Sequence, residues 1–222
     1  MRVLRGSLSL LIRKGFFQMV YRLMILTLLA SLSIAQADFE PLNTIEATRR
    51  LTEGVQLGSV KQVQEAIARG ADIHDRNTFG RTPLILAATK GNKKIIDVLL
   101  EAGANPNQTD DDSNSPLYFA SRNCNHRAVI SLLMPHNGAK ADVNHVNHVG
   151  QSALHAASEQ GCDLVVQVLL RQPEIKIHMR DDYHRTALDY ATENADILGE
   201  FEAKDLIMSA DRSLNILKPA VH

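Results

Sequence analysis

The chain of 222 residues sets 24 Lys and Arg against 25 Asp and Glu, a formal charge of −1, and 45% of it is hydrophobic. Its first 37 residues hold five of the basic residues and no acid, so the remainder stands near −6 and shows no basic stripe of the kind that phosphate binding requires; nucleic acid is not expected as a partner. The two cysteines lack C-x-x-C spacing, which argues against a catalytic dithiol pair.

The N-terminal segment carries Arg2, Arg5, Arg13, Lys14 and Arg22, then the apolar run Leu23 to Ile34, then Ala35-Gln36-Ala37. This order reads as a secretory signal over residues 1–37 with cleavage before Asp38. The twelve-residue apolar run falls short of the roughly 20 residues a spanning helix needs, so no stable membrane insertion is expected after cleavage. A retained anchor is the alternative, and it would place Arg22 inside the bilayer. Translation from Met19 instead of Met1 is also compatible with the long basic region. The expectation is an exported, soluble domain over 38–222.

From residue 42 onward the sequence repeats. Arg81-Thr82-Pro83-Leu84, Asn114-Ser115-Pro116-Leu117, Gln151-Ser152-Ala153-Leu154 and Arg185-Thr186-Ala187-Leu188 can be laid over one another at intervals of 33, 37 and 34 residues. Such a period marks a solenoid of two-helix units. The first unit, 42–76, keeps Gly58, Val63, Ile67, Gly70 and Ala71 in frame but carries Arg49-Arg50 in place of Thr-Pro, as a capping unit with a polar outer face would. In the second, 77–109, Thr82 caps a helix that Pro83 begins, Ala87 and Ala88 keep one helix face thin, and Gly91 permits a tight reversal. Ile95, Ile96, Leu99 and Leu100 then form the buried stripe of a second helix, which Gly103 can end. The third unit, 110–146, has Cys124 where Gly91 falls and four extra residues between Leu133 and Asn144, so the connection Met134 to Lys140 should bulge. The fourth, 147–180, follows Ser152, His155 and Gly161 with a stripe of Leu164, Val165, Val168, Leu169 and Leu170. The last, 181–212, holds Leu188, Tyr190 and Ala191, then an outer helix through Phe201 and Leu206 to Met208.

This grammar resembles the ankyrin repeat over roughly residues 42 to 210. The resemblance implies an all-α solenoid of helix–turn–helix units with β-hairpin connections, about five repeats including caps. It also implies a monomer that grips one partner protein on its concave face, with no cofactor, no metal and no catalytic site. In such proteins the hairpin tips and first helices carry the variable positions that face a partner. Here those positions hold Phe79, Arg81, Asn114, Tyr118, Arg122, His148, Gln151, Tyr183 and Arg185. Aromatics and arginines are enriched at interface hot spots, and Phe79 and Tyr183 share one hairpin position. Tyr118 has a second reading, as a space-filler at the family's histidine position.

Three other groups invite chemistry. Cys124 and Cys162 fall at neighbouring positions of the inter-helix turn in adjacent repeats, and an oxidising compartment makes a disulfide conceivable beside a reading as two small buried thiols. Equivalent points in stacked repeats should lie about 8 to 10 Å apart, against the roughly 7 Å a disulfide tolerates between Cα atoms. The late histidines, His136, His145, His148, His155, His178 and His184, suggest a metal or haem carrier, although stacked hairpins keep equivalent residues too far apart to share a metal. Asp110-Asp111-Asp112 lacks the Gly and the later Glu of a calcium loop and reads as a solvated tip. No nucleophile elbow, phosphate loop or H-E-x-x-H helix occurs. Bacterial periplasmic proteins that the chain resembles are linked to oxidative-stress defence beside catalase, and others act as immunity proteins against secreted toxins; the sequence does not choose between them.

Overall fold

The computed structural model describes residues 43–136, 138–198 and 205–210. The signal-like segment, its cleavage site, Asn137 and Phe201 lie outside the described residues.

Helix α1 covers 43–57, followed by α2 (Val60–Ala68), α3 (Pro83–Lys90), α4 (Lys93–Glu101), α5 (Pro116–Arg122), α6 (His126–Leu133), α7 (Ala153–Glu159), α8 (Asp163–Leu170), α9 (Ala187–Leu198) and α10 (205–210). The inner helices α3, α5, α7 and α9 stack in sequence, as do the outer helices α2, α4, α6 and α8, and each inner helix from α3 to α7 packs on the outer helix that follows it. The starts of the inner helices are chemically set. Thr82, Ser115 and Ser152 each accept a hydrogen bond from the amide three residues on, of Ile85, Tyr118 and His155, and Pro83 and Pro116 occupy the first turn. Each such cap stabilises its helix by about 1 kcal/mol.

Ala87, Ala88, Ala120, Ala156 and Ala157 are buried where inner and outer helices meet, and the core around them is Leu84, Ile95, Ile96, Leu99, Leu117, Leu132, Leu154 and Leu169. Burying one such aliphatic side chain is favourable by about 1.5–3 kcal/mol, and both the inner and the outer helix of each unit contribute. In α8 the stripe differs from expectation: Val165, Val166 and Leu169 are buried, while Leu164 is exposed. The repeat frame explains this, since Val165 and Val166 fall where Ala128 and Val129 fall in α6, and Leu164 is in the first turn, on the solvent side.

The first unit also departs from expectation. Arg49 and Arg50 do not begin a helix; they lie within α1, held to Glu46 by ion pairs, and Arg49 also pairs with Glu53. Ion pairs within a helix replace the Thr-Pro start, leaving a longer and more polar first helix.

Gly91 (φ 70°) and Gly161 (φ 64°) end their helices in the left-handed region, and Cys124 adopts the same conformation at φ 55° without being glycine. In the connection from Met134 to Lys140, Met134 is exposed and His136 forms an isolated bridge with Ala139.

Candidate partner-binding surface

Among the described residues the hairpin connections contain isolated β-bridges but no strands. Side chains shape them instead. Asn77 Oδ1 accepts the amides of Phe79 and Arg81, both at 3.0 Å, and the pattern recurs one repeat later, where Asp110 Oδ1 accepts those of Asp112 and Asn114 at 3.1 and 2.8 Å. Asn147 does the same for Val149 and Gln151, and Asp181 for Tyr183 and Arg185. A short Asn or Asp side chain imitates a backbone turn in this way. Asp110 and Asp181 are only 4% and 3% exposed, so the reading of Asp110 as part of a solvated tip is corrected: a charge is buried there because it accepts several hydrogen bonds. These four tip organisers were missed in the sequence, although their spacing equals that of the Thr-Pro-Leu segments.

The tips present Phe79 and Tyr183 outward, each 65% exposed, and of the two intervening repeats one carries Asp112 and the next Val149, 38% exposed, in the same position. Arg81 and Arg185 lie behind the two rings. The Arg81 guanidinium sits 5.6 Å from the Phe79 ring centre and 4.6 Å from that of Phe119, and Arg185 sits 5.4 Å from Tyr183 and 4.0 Å from Tyr190. Each cation is thus held between an exposed ring and a buried one, a contact of about 0.5–2 kcal/mol. Arg122 and His148 are exposed nearby.

Tyr118 and Asn114 lie beneath this surface. Tyr118 donates to Gln151 Oε1 at 3.1 Å, Gln151 Nε2 donates to the Tyr190 hydroxyl at 2.9 Å, and that hydroxyl donates to Asp181 Oδ2 at 2.6 Å. This chain of bonds joins three repeats. Burial, then the bond to Asp181, pushes the Tyr190 phenol up to about 12. Burial opposes the charge on Asp181, but the Tyr190 hydroxyl and the amides of Arg185 and Tyr183 outweigh it and hold the carboxyl below its ordinary value. Asn114 accepts from Asn147 Nδ2 at 3.0 Å and donates to Asp110.

Three of the late histidines, in three different places, meet backbone carbonyls. His145 Nε2 meets Ser113 O at 2.8 Å, His136 Nε2 meets Ser131 O at 3.2 Å, and buried His155 bridges Ser152 to the carbonyls of Met179 and Arg185. Burial holds the His155 imidazole below its usual range. Among the described residues no three or more His, Cys, Asp or Glu are grouped to hold a metal. Cys124 and Cys162 form a disulfide, their Cα atoms 5.0 Å apart.

The family model described as "Ankyrin repeats (3 copies)" matches residues 51–145, and that described as "Ankyrin repeat" matches 149–182. The chain is 28% identical over 133 residues to the ankyrin repeat protein YahD of Escherichia coli, covering 60% of this chain and 64% of YahD. It is 30% identical over 144 residues to the mitochondrial disaggregase of Bos taurus, covering 64% of this chain and 21% of that protein. A third relative is the phosphocholine transferase AnkX of Legionella pneumophila, 30% identical over 146 residues, which are 64% of this chain and 15% of AnkX. The chain thus spans less than two thirds of each of these relatives.

Proposed function

The chain belongs to the ankyrin-repeat family, a protein-interaction module, and from that premise we propose that it is an exported, periplasmic monomer that binds one partner protein through its hairpin tips and inner helices. The observation that carries this reading is the pair Phe79 and Tyr183: two large rings at equivalent tips, exposed and each backed by an arginine. Folding alone gives no reason to expose them, and rigid aromatic–arginine groups are the usual anchors of an interface. Export is supported by the signal-like N-terminus and by the Cys124–Cys162 disulfide, a bond that persists in oxidising compartments. Among the described residues no helix is long and apolar enough to cross a membrane.

Ankyrin repeats are in general a non-catalytic scaffold, and the transferase activity of AnkX belongs to a protein of which this chain matches a small part. Within the interaction role we propose support of catalase-linked stress defence, with toxin immunity as the alternative that the same experiment separates. The test is affinity capture from periplasmic extract, run in parallel with wild type and a Phe79→Ser/Tyr183→Ser variant. A catalase held by wild type and lost by the variant is the expected result; a secreted toxin captured instead moves the role to immunity, and equal capture by both proteins rejects the surface.

A further inference from the structure

Phe79, Asp112, Val149 and Tyr183 occupy one position in four successive tips, and the main chain stitches those tips into a row. The amides of Asp111, His148 and Asp182 donate to the carbonyls of Phe79, Asp112 and Val149 at 3.3, 3.1 and 3.1 Å. Since each tip is closed by its own Asn or Asp, the order of side chains along the row is set by the backbone: ring, acid, valine, ring.

The charges beside this row are unequal in their engagement. Arg76 pairs with Asp111 at 2.9 Å, Arg81 with Asp110 at 3.5 Å and Arg185 with Glu193 at 3.3 Å, while Arg180 donates to the His184 carbonyl and lies near Asp189. The carboxylates of exposed Asp112 and Asp182 have no partner among the described residues; only their backbone groups are bonded. Covering such a carboxylate with an apolar or acidic surface is costly, whereas a cation there would be favoured and would suppress wrong partners.

We infer that this row docks an extended segment of a partner protein in which a basic side chain, opposite Asp112, is flanked by apolar side chains opposite Phe79 and Val149, with a further apolar one opposite Tyr183. The inference rests on the interaction role proposed above and names the chemistry of the segment bound. Stacked helices are spaced by about 8–10 Å, and an extended segment in the polyproline II conformation advances about 3.1 Å per residue with three residues per turn, so every third side chain lies on one face and meets a tip. The row is one side chain wide, which suits single-file contacts better than the broad apolar stripe of an amphipathic helix. The second free acid, Asp182, lies between Val149 and Tyr183 and favours another cation among the spacer residues.

The test uses the full chain and fluorescence anisotropy with two labelled ten-residue peptides, Leu-Ser-Ser-Lys-Ser-Ser-Leu-Ser-Ser-Leu and the same peptide with Glu in place of Lys. Wild type should bind the Lys peptide at least about tenfold more tightly than the Glu peptide, and Asp112→Lys should reverse the order while its melting temperature stays unchanged. Equal affinities, an unreversed order in Asp112→Lys, or no binding of the Lys peptide overturns the inference. If the peptides fail while partner capture still depends on Phe79 and Tyr183, the interaction role stands and only the basic, extended segment falls. Capture indifferent to both rings removes the role itself.

Discussion

Cys162 is bonded to Cys124 at the pair of positions that Asn125 and Gly91 hold one repeat earlier and that Asn92 and Gly58 hold one repeat before that. In the earlier turns the Asn side chain reaches back to the preceding repeat: Asn125 Nδ2 donates to the carbonyls of Ala88 and Thr89 at 3.2 and 3.1 Å, and Asn92 Nδ2 to that of Gly58 at 3.5 Å. The disulfide is thus the covalent counterpart of a recurring hydrogen-bonded clamp. Cys124→Ser/Cys162→Ser should lower unfolding stability by about 2–4 kcal/mol. Cys124→Gly/Cys162→Asn should recover about 1 kcal/mol of that loss, because it restores both the left-handed glycine and the clamp. Urea denaturation of the three proteins decides this, and no recovery in the second variant would refute the equivalence.

Gly91 is constrained twice. Its φ is 70°, and a Cβ placed on it would lie 2.5 Å from Asn125 Cγ. Gly91→Val should cost about 1–3 kcal/mol. The cost should fall, without vanishing, in an Asn125→Ala background, where the collision is relieved and the backbone strain is not. Gly161→Val, at φ 64°, should show the backbone penalty as well. Melting temperatures unchanged by either glycine substitution would mean that the repeat frame is wrong.

Tyr118 sits at one end of the Tyr118–Gln151–Tyr190–Asp181 chain. Tyr118→Phe leaves the Gln151 carbonyl without its donor and should destabilise by about 0.5–1.5 kcal/mol while partner affinity changes less than about twofold. A titration of the variant against the captured partner showing a large loss of affinity with intact stability would return Tyr118 to the interface.

The pH dependence of stability has a predictable sign at both limbs. The folded pKa of Asp181 is depressed below its ordinary 3.8, so its contribution is present above that pH and is lost as pH falls through the folded value. Asp181→Asn should flatten the acid limb, yet keep the tip, since Asn77 and Asn147 organise the equivalent turns. Tyr190 is raised from 10.0 to about 12, so its contribution is complete below pH 10 and lost as pH climbs toward 12. Tyr190→Phe should therefore flatten the alkaline limb in thermal melts recorded against pH.

If the N-terminal segment is a cleaved signal, N-terminal sequencing of the exported protein should begin at Asp38. Exported protein that retains Leu23 to Ile34 would establish the anchored alternative.

Much of this architecture is legible in the chain before any coordinates are known, because its determinants are local. A Thr or Ser before Pro or Ala sets where α3, α5 and α7 begin, the Ala pairs keep the inner helices thin, and Gly91 and Gly161 end them; each acts within a few residues of itself. Phe79, Tyr183 and their arginines could be nominated from the same register. What the tertiary structure alone decided lies between repeats. Val166 rather than Leu164 enters the core, and Tyr118 is covered by the next repeat and bonded to it. Asp110 and Asp181 are buried organisers of their turns. The cysteine pair shows the reason most clearly: equivalent points in stacked repeats are about 8–10 Å apart, yet the one-residue offset of Cys162 turns its side chain back toward the preceding turn and brings the Cα atoms to 5.0 Å. Contacts of that kind depend on offset, rotamer and the closeness of stacking, which residues distant in sequence settle only once they are packed together.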